Sequence, residues 1–486
     1  MTTILGRKEE LKILARLHKS QKAEFLAIYG RRRIGKTYLI HEYFKDKGIY
    51  FDFTGTKGAS KEQQLRNFAD KFASTFRLGN SISPLPDWQE AFFLLRKELE
   101  TLSPNQKFIL FFDELPWIAS PKSGMLSALE YFWNSYLSKK KNVLLIVCGS
   151  AASWMIKKIA HNKGGFHNRL TQQIRLLPFT LNETEQFLQA QGVDLERKRI
   201  VEIYAAIGGV ASYLSHVQRG LSSAQVIQKI CFAPQAPLIS EFPRLYESLF
   251  DDAKKHMAIV EALAKKRSGM TLEDLLHATD LPSGGGTKDV LEELEESGFI
   301  MYVHEFGKKK KEGRYRLIDE YSLFYFTWIK PAFPSASANL SQDYWMKKQG
   351  SPTYASWAGY TFEGICFKHV ENLIKAMELS VVATSFSGWN YRPTEKTEKG
   401  AQIDLVVDRS DKCVTLIEIK FHEGEFVIDK QYASELAHKK QCFKQATKTR
   451  KHVFLTLLTA FGAKENAHYL SVIDSQLTLE SLFHLT

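Results

Sequence analysis

Glu24-Phe-Leu-Ala-Ile-Tyr-Gly30, continuing as Arg31-Arg32-Arg33-Ile34-Gly35-Lys36-Thr37 and then Tyr38-Leu-Ile-His-Glu-Tyr-Phe44, decides the fold of the amino-terminal part. An apolar run of strand length ends in glycine, a short basic loop follows, and a helical pattern starts at once. The order is strand, loop, helix. The loop has the full form GxxxxGKT, in which glycines let backbone N–H groups close around phosphate oxygens, the lysine reaches the outer phosphates and the threonine hydroxyl serves Mg²⁺. Gly30, Arg31, Arg32, Arg33, Ile34, Gly35, Lys36 and Thr37 are therefore expected to cradle ATP, with GTP as the alternative. A merely basic turn would account for the arginines but not for the Gly-Lys-Thr spacing.

A second apolar strand, Lys107-Phe-Ile-Leu-Phe-Phe112, runs into Asp113-Glu114. An acidic pair at the end of a strand after such a loop suits a Walker B site, with Asp113 holding Mg²⁺ through water and Glu114 polarising the attacking water. Hydrolysis is then expected as well as binding. Gly48 to Phe53, Asn142 to Ser150 and Gln173 to Leu177 supply three more apolar segments with helical spacers, which implies a five-stranded parallel sheet in an α/β fold.

This set resembles the AAA+ branch of P-loop ATPases. The resemblance implies a sensor-1 role for Ser150, an adenine-side entry at Gly6 and Arg7, an arginine finger at Arg169 and self-association into an oligomer. Gly208-Gly-Val-Ala-Ser-Tyr-Leu214 is similar to the lid motif of a subgroup that is a sister of the STAND ATPases, although that subgroup usually has proline where this chain has Ala211.

The chain has 486 residues, with 66 Lys and Arg against 54 Asp and Glu, a formal balance of +12. That length suggests about three domains, and the excess of basic groups suits phosphate backbones or anionic lipid without choosing between them. Five scattered cysteines with no CxxC pair speak against a zinc ribbon or disulfide scaffold. The first residues lack a basic segment leading into an apolar one, and no run approaches membrane-spanning length, so a cytoplasmic protein with no membrane partner is expected.

From Lys254 the pattern changes to three short amphipathic helices, Met257 to Ala264, Thr271 to Leu276 and Gly286 to Gly298, and then two strands, Phe299 to Val303 and Arg314 to Ile318. They are joined through Gly307 and Lys308 to Lys311. This resembles a winged helix, whose basic wing would grip phosphate or minor groove. Its third helix carries Asp289, Glu292, Glu293, Glu295 and Glu296, which favours a docking or spacer role instead.

Beyond a Pro-, Ser- and Ala-rich stretch, Gly400-Ala-Gln-Ile-Asp404 and Val414-Thr-Leu-Ile-Glu418-Ile-Lys420 place charges inside apolar strands. Period-two geometry puts Glu418 and Lys420 on one face, opposite to Ile417 and Ile419. With Asp404 on a neighbouring strand, two carboxylates and a lysine would make a hard oxygen site for Mg²⁺. This resembles the PD-(D/E)XK nuclease fold, and the resemblance adds Glu363 on the first helix of the domain.

Taken together, the chain resembles an archaeal-type AAA+ P-loop ATPase family with a winged helix and a nuclease-like C-terminal domain. The expected layout is an ATPase core over 1–180, a helical lid over 181–250, a winged helix over 251–330, a linker over 331–351 and a restriction-endonuclease-like α/β domain over 352–486. The implied function is an ATPase whose nucleotide state controls a Mg²⁺-dependent nuclease, DNA being the favoured substrate and defence against foreign DNA one use of it. The alternative is a non-nucleolytic ATPase switch whose last domain only docks DNA or protein.

Overall fold

The computed structural model describes residues 4–76, 82–101, 103, 106–160, 166, 168–250, 252–309, 312–334, 340–391, 393 and 399–483. The chain divides into two compact units, Met1–Pro178 and Phe179–Thr486.

In the first unit, helix α1 (Lys8–Lys19) leads into β1 (Glu24–Tyr29), α2 (Lys36–Phe44), β2 (Ile49–Thr54), α3 (Lys61–Phe76), α4 (Trp88–Thr101), β3 (Phe108–Asp113), α5 (Met125–Ser135), β4 (Val143–Gly149) and β5 (Gln172–Arg175). The five strands are parallel, in the order β2-β3-β4-β1-β5. β4 thus lies between the loop-bearing strand and the strand that ends in the acidic pair. Strand alternation explains the layering: Phe25, Ala27, Leu110, Phe112, Leu145 and Val147 pack on one side under α3, α4 and α5, while Leu26, Ile28, Ile109, Phe111, Leu144 and Ile146 pack on the other with α1 and α2. A sheet buried on both faces reads as continuous apolar sequence, which is why these segments stood out.

The second unit opens with α6 (Leu181–Ala190) and α7 (Arg197–Ile207). Every residue from Ile200 to Ile207 is buried, so α7 is a central rod, ended by the Gly208-Gly209 turn of the expected lid motif. Then come α8 (Ala253–Lys265), α9 (Leu272–Thr279), α10 (Gly285–Glu296) and an antiparallel pair, β6 (Ile300–Val303) with β7 (Arg314–Leu317). The final part holds α11 (Pro352–Lys368), β8 (Thr384–Tyr391), β9 (Ala401–Arg409), β10 (Cys413–Lys420), α12 (Lys430–Thr447), β11 (His452–Thr459) and β12 (Ser475–Thr478). Its sheet is mixed, ordered β12-β11-β10-β9-β8, with β8, β9 and β10 antiparallel and β10, β11 and β12 parallel. Ile417, Ile419 and Leu405 face the α11 side, and Leu416, Val406 and Leu457 the α12 side.

The segments expected as lid, middle domain, linker and last domain share one hydrophobic core. The expected linker over 331–351 shows why. Within it Tyr344–Gln349 is helical, and Trp345 is 0% exposed, stacked 5.6 Å from Phe232 and edge-on to Trp328 and Trp357. A buried indole outweighs the local Pro and Ser content. The hairpin is also anchored: Phe306 donates its backbone N–H to the Gly388 carbonyl at 3.0 Å and its ring lies 5.0 Å from Phe443. Of the basic tip, Lys308 pairs with Glu305, while Lys310 and Lys311 lie outside the described residues. Among the described residues no helix is long and apolar enough to cross a membrane.

Candidate functional site

At the end of β1 the backbone turns through Gly30 at φ 150, where an added Cβ would stand 2.2 Å from the Leu176 carbonyl oxygen. Gly35 sits at φ 94 with open space where its Cβ would be. Lys36, 5% exposed, donates to the carbonyls of Gly30 at 2.8 Å and Arg31 at 2.9 Å and to the Ser150 hydroxyl at 3.1 Å. Its three donors are thus aimed across the loop.

The Thr37 hydroxyl donates to Asp113 Oδ2 at 2.6 Å, and the other carboxylate oxygen accepts the Glu114 N–H at 2.9 Å. Two hard oxygens from the loop and from β3 are therefore side by side, a donor set that fits Mg²⁺. Glu114 adopts a left-handed φ of 49, which turns its carboxylate towards β4, where it accepts the Ser150 N–H at 3.1 Å and the Ser150 hydroxyl. Lys36, Ser150 and Glu114 form one hydrogen-bonded chain. Gly6 and Arg7 make consecutive left-handed turns, and the buried Arg7 donates to the Ile34 carbonyl at 3.2 Å, bracing the loop from outside.

The three loop arginines diverge. Arg31 is buried, Arg33 is exposed, and Arg32 lies 5.0 Å over the Trp117 ring. Arg169 is exposed and, among the described residues, makes no side-chain hydrogen bond or ion pair.

In the second unit, Ser387 pairs with Val406 and Trp389 with Ile403, so Gly388 alone faces both Asp404 and Leu405. This is a β-bulge, a device that re-aims a side chain. Asp404 uses it to accept the Ile419 N–H at 2.9 Å. The β9–β10 register, continued one step past Ile417 and Leu405, sets Asp404 opposite Glu418.

Glu418 is 1% exposed. One of its oxygens accepts from Lys420 at 3.1 Å, Lys439 at 2.7 Å and the Tyr432 hydroxyl at 3.2 Å, and the other, Oε2, is buried with no hydrogen-bond partner. Burial and the neighbouring Glu418 push the Asp404 carboxyl up to about 6. Burial and Asp404 push Glu363, on α11, up to about 8. Lys420 is raised: burial works against its charge, but Glu418 and Asp404 outweigh it.

An orphaned buried oxygen on Glu418, with Asp404 on the paired strand, fits a divalent cation held by these two residues. Among the described residues no three or more His, Cys, Asp or Glu side chains gather as a metal cluster, so water would complete such a shell. Glu363 is acted on electrostatically by Asp404 but makes no hydrogen bond or ion pair among the described residues.

Two residues at this site, Tyr432 and Arg316, escape the sequence reading, whereas Lys439 belongs to the basic residues that the sequence sets at the flank of the site. Tyr432 and Lys439 are seven apart, hence on one face of α12, a spacing available in the sequence. Arg316, on β7, is acted on by Glu363 and Asp404, and no local pattern links it to them.

Residues 4–217 match an ATPase domain family found predominantly in Archaea, and residues 325–437 match a family of archaeal and bacterial proteins of unknown function. An uncharacterized protein of Methanocaldococcus jannaschii is 25% identical over 422 residues, covering 86% of this chain and 88% of its own. Among solved structures, a Walker-type ATPase of Pyrococcus abyssi shows 15% identity and a TM-score of 0.46, covering 66% of this chain and 96% of its own. The ORC2 protein of Aeropyrum pernix, solved in ADPNP–ADP complexes, shows 13% identity and a TM-score of 0.37 over 76% of this chain and 97% of its own. The match over residues 4–217, on top of the loop and acidic-pair geometry, supports an archaeal-type ATP-binding ATPase domain in the amino-terminal part of this chain.

Proposed function

We propose that this ATPase controls a Mg²⁺-dependent PD-(D/E)XK-like nuclease built on the mixed sheet, with DNA as favoured substrate and a homo-oligomer as the working form. The observation that carries the reading is the buried Asp404–Glu418 pair, with Lys420 on the same strand face and an oxygen of Glu418 left without a partner. A bound Mg²⁺ would polarise the scissile phosphodiester and activate a water. In this reading Asp404 and Glu418 hold the ion, Lys420 orients the water or steadies the developing phosphorane charge, and Tyr432 and Lys439 fix the Glu418 rotamer.

In the ATPase half, Lys36 exchanges its loop carbonyls for phosphate oxygens, Thr37 and Asp113 hold Mg²⁺, and Glu114, oriented by Ser150, takes the proton of the attacking water. Arg169 acts in trans in an oligomer. Phosphodiester cleavage needs no ATP, so turnover times access or assembly. Foreign-DNA defence is one use of such timing.

Three helices followed by an antiparallel pair support a winged helix over α8–β7. The anchoring of Phe306 and the pairing of Lys308 favour a packing role for its wing over a grip on DNA.

A second reading rests on Lys420 and Lys439 both neutralising Glu418, as in a salt-bridged relative kept for docking. The test is incubation of purified protein with supercoiled and linear DNA, and with RNA, in Mg²⁺ or Mn²⁺, with and without ATP. Wild type should cut, and Glu418→Ala or Lys420→Ala should not. Absence of cutting on every substrate would select the docking reading. Lys36→Ala should abolish phosphate release, and Glu114→Gln should bind ATP yet turn over about 10²-fold or more slowly.

A further inference from the structure

The hairpin β6–β7 carries a cation into the neighbourhood of the carboxylate pair. Arg316 lies on β7 with its guanidinium carbon 4.8 Å from the centre of the Phe367 ring. Phe367 is four residues beyond Glu363 on α11, so both lie on one helix face. Glu363 and Asp404 act on the guanidinium electrostatically. Among the described residues, however, the guanidinium donates no hydrogen bond and has no carboxylate within ion-pair distance.

Its charged neighbours are committed. Arg314 is paired with Glu305, and Lys420 and Lys439 with Glu418. On the anionic side, Glu363 has no hydrogen-bond partner among the described residues and Glu418 Oε2 has none either. Opposite charges thus stand near one another without contact.

With Lys420 and Lys439 both held on Glu418 and Arg314 on Glu305, the Arg316 guanidinium, stacked on Phe367, is the cation here, among the described residues, with its N–H edge open to an anionic ligand. Arg316 lines a cleft with His304, Glu305, Arg314, Asn390 and Gln402, in which the Glu305 carboxylate is already paired with Lys308 and Arg314, and Gln402 is two residues ahead of Asp404 on β9. A guanidinium stacked on an aromatic face keeps its N–H edge available, and that edge matches two phosphate oxygens.

We propose that Arg316 holds a phosphodiester group of a nucleic-acid strand in this cleft, so that the middle hairpin completes the C-terminal site. The inference rests on the reading of that site as directed at phosphodiesters. It makes Arg316 a substrate-binding residue supplied by a segment that family resemblance assigns to a different module.

The test is binding, with Ca²⁺ present, of a fluorescein-labelled single-stranded DNA and an RNA of the same sequence to the full chain, followed by anisotropy. Arg316→Met, which keeps an apolar stem against Phe367, should weaken binding about tenfold or more and lower the log–log salt slope by about one. Arg316→Lys should lose only about threefold and keep the slope. Binding of Arg316→Met within about twofold of wild type overturns the proposal, as does a wild type that binds neither strand. Full competition by equimolar inorganic phosphate would also overturn it, by making free phosphate the ligand.

A wild-type measurement guards against a variant that fails to fold. Phenylglyoxal modification of Arg316, read by mass spectrometry, should slow about fivefold with oligonucleotide bound, and an unchanged rate overturns the proposal. Cleavage in Mg²⁺ is scored separately. Cutting without Arg316-dependent binding removes this inference and leaves the nuclease reading, whereas Arg316-dependent binding without cutting does the reverse.

Discussion

Gly30 and Gly35 bound the same loop but answer to different constraints. At Gly30 an added methyl would overlap the Leu176 carbonyl, a backbone atom that cannot rotate away. Gly30→Ala should therefore cost the ATPase unit about 2 to 3 kcal/mol and lower its melting temperature. At Gly35 nothing lies within 4 Å, so only the left-handed φ is strained. Gly35→Ala should cost about 1 kcal/mol of stability while removing most nucleotide affinity, because its methyl intrudes where phosphates approach the amides. Differential scanning fluorimetry paired with nucleotide titration separates the two, and equal stability losses would contradict this account. The loop was legible in the sequence because GxxxxGKT is a contiguous spacing rule. The roles of the three arginines were not, since burial of Arg31 and stacking of Arg32 depend on Trp117 and on packing that no local pattern encodes.

Between elements, His369 ties α11 to α6. One ring nitrogen faces the Ile365 carbonyl at 2.8 Å and the other accepts the Leu181 N–H at 3.0 Å, which requires a neutral ring. Burial is the main cause that brings His369 down to about 4. The folded state then binds its proton more weakly than the unfolded chain, so the stability it confers is complete above about pH 6.5. It is lost as pH falls towards about 4, by about 3 kcal/mol in all. Glu363 and Asp404, raised by burial, work in the opposite direction, gaining folded-state stability as pH falls. Urea unfolding of wild type and His369→Gln at pH 7.5 and 5 isolates the histidine: the difference between them should shrink at the lower pH. A difference independent of pH would contradict it. Element types were largely readable, including the β9 and β10 segments, whose charges interrupt an apolar alternation. The bulge at Asp404 was not, because it depends on the cross-strand position of Gly388.

On the scale of the whole chain, the sequence suggested several modules after residue 180, whereas Phe179–Thr486 packs as one unit. Composition marks where polarity rises but not which indole is buried, and Trp345 is the residue that binds the expected linker into the core. Calorimetry should accordingly show the expected modules after 180 melting together. A non-hydrolysable ATP analogue with Mg²⁺ should raise the transition of Met1–Pro178 by the equivalent of about 2.7 kcal/mol at a hundredfold excess over Kd. A separate transition for the α8–β7 segment would contradict the shared core.

The hairpin's attachment to Gly388 has a colloidal consequence. β8 is the terminal strand of the mixed sheet, and terminal strands present amide and carbonyl groups that can template pairing with a second chain. His304 and Phe306 occupy the Gly388 amide and carbonyl, and the bulge opposite twists the strand away from flatness. The segment acts as a guard on an adhesive border. Replacing the stretch from Glu305 to Gly313 by a short Gly-Ser turn should leave the nucleotide site intact yet drive concentration-dependent aggregation, visible by light scattering.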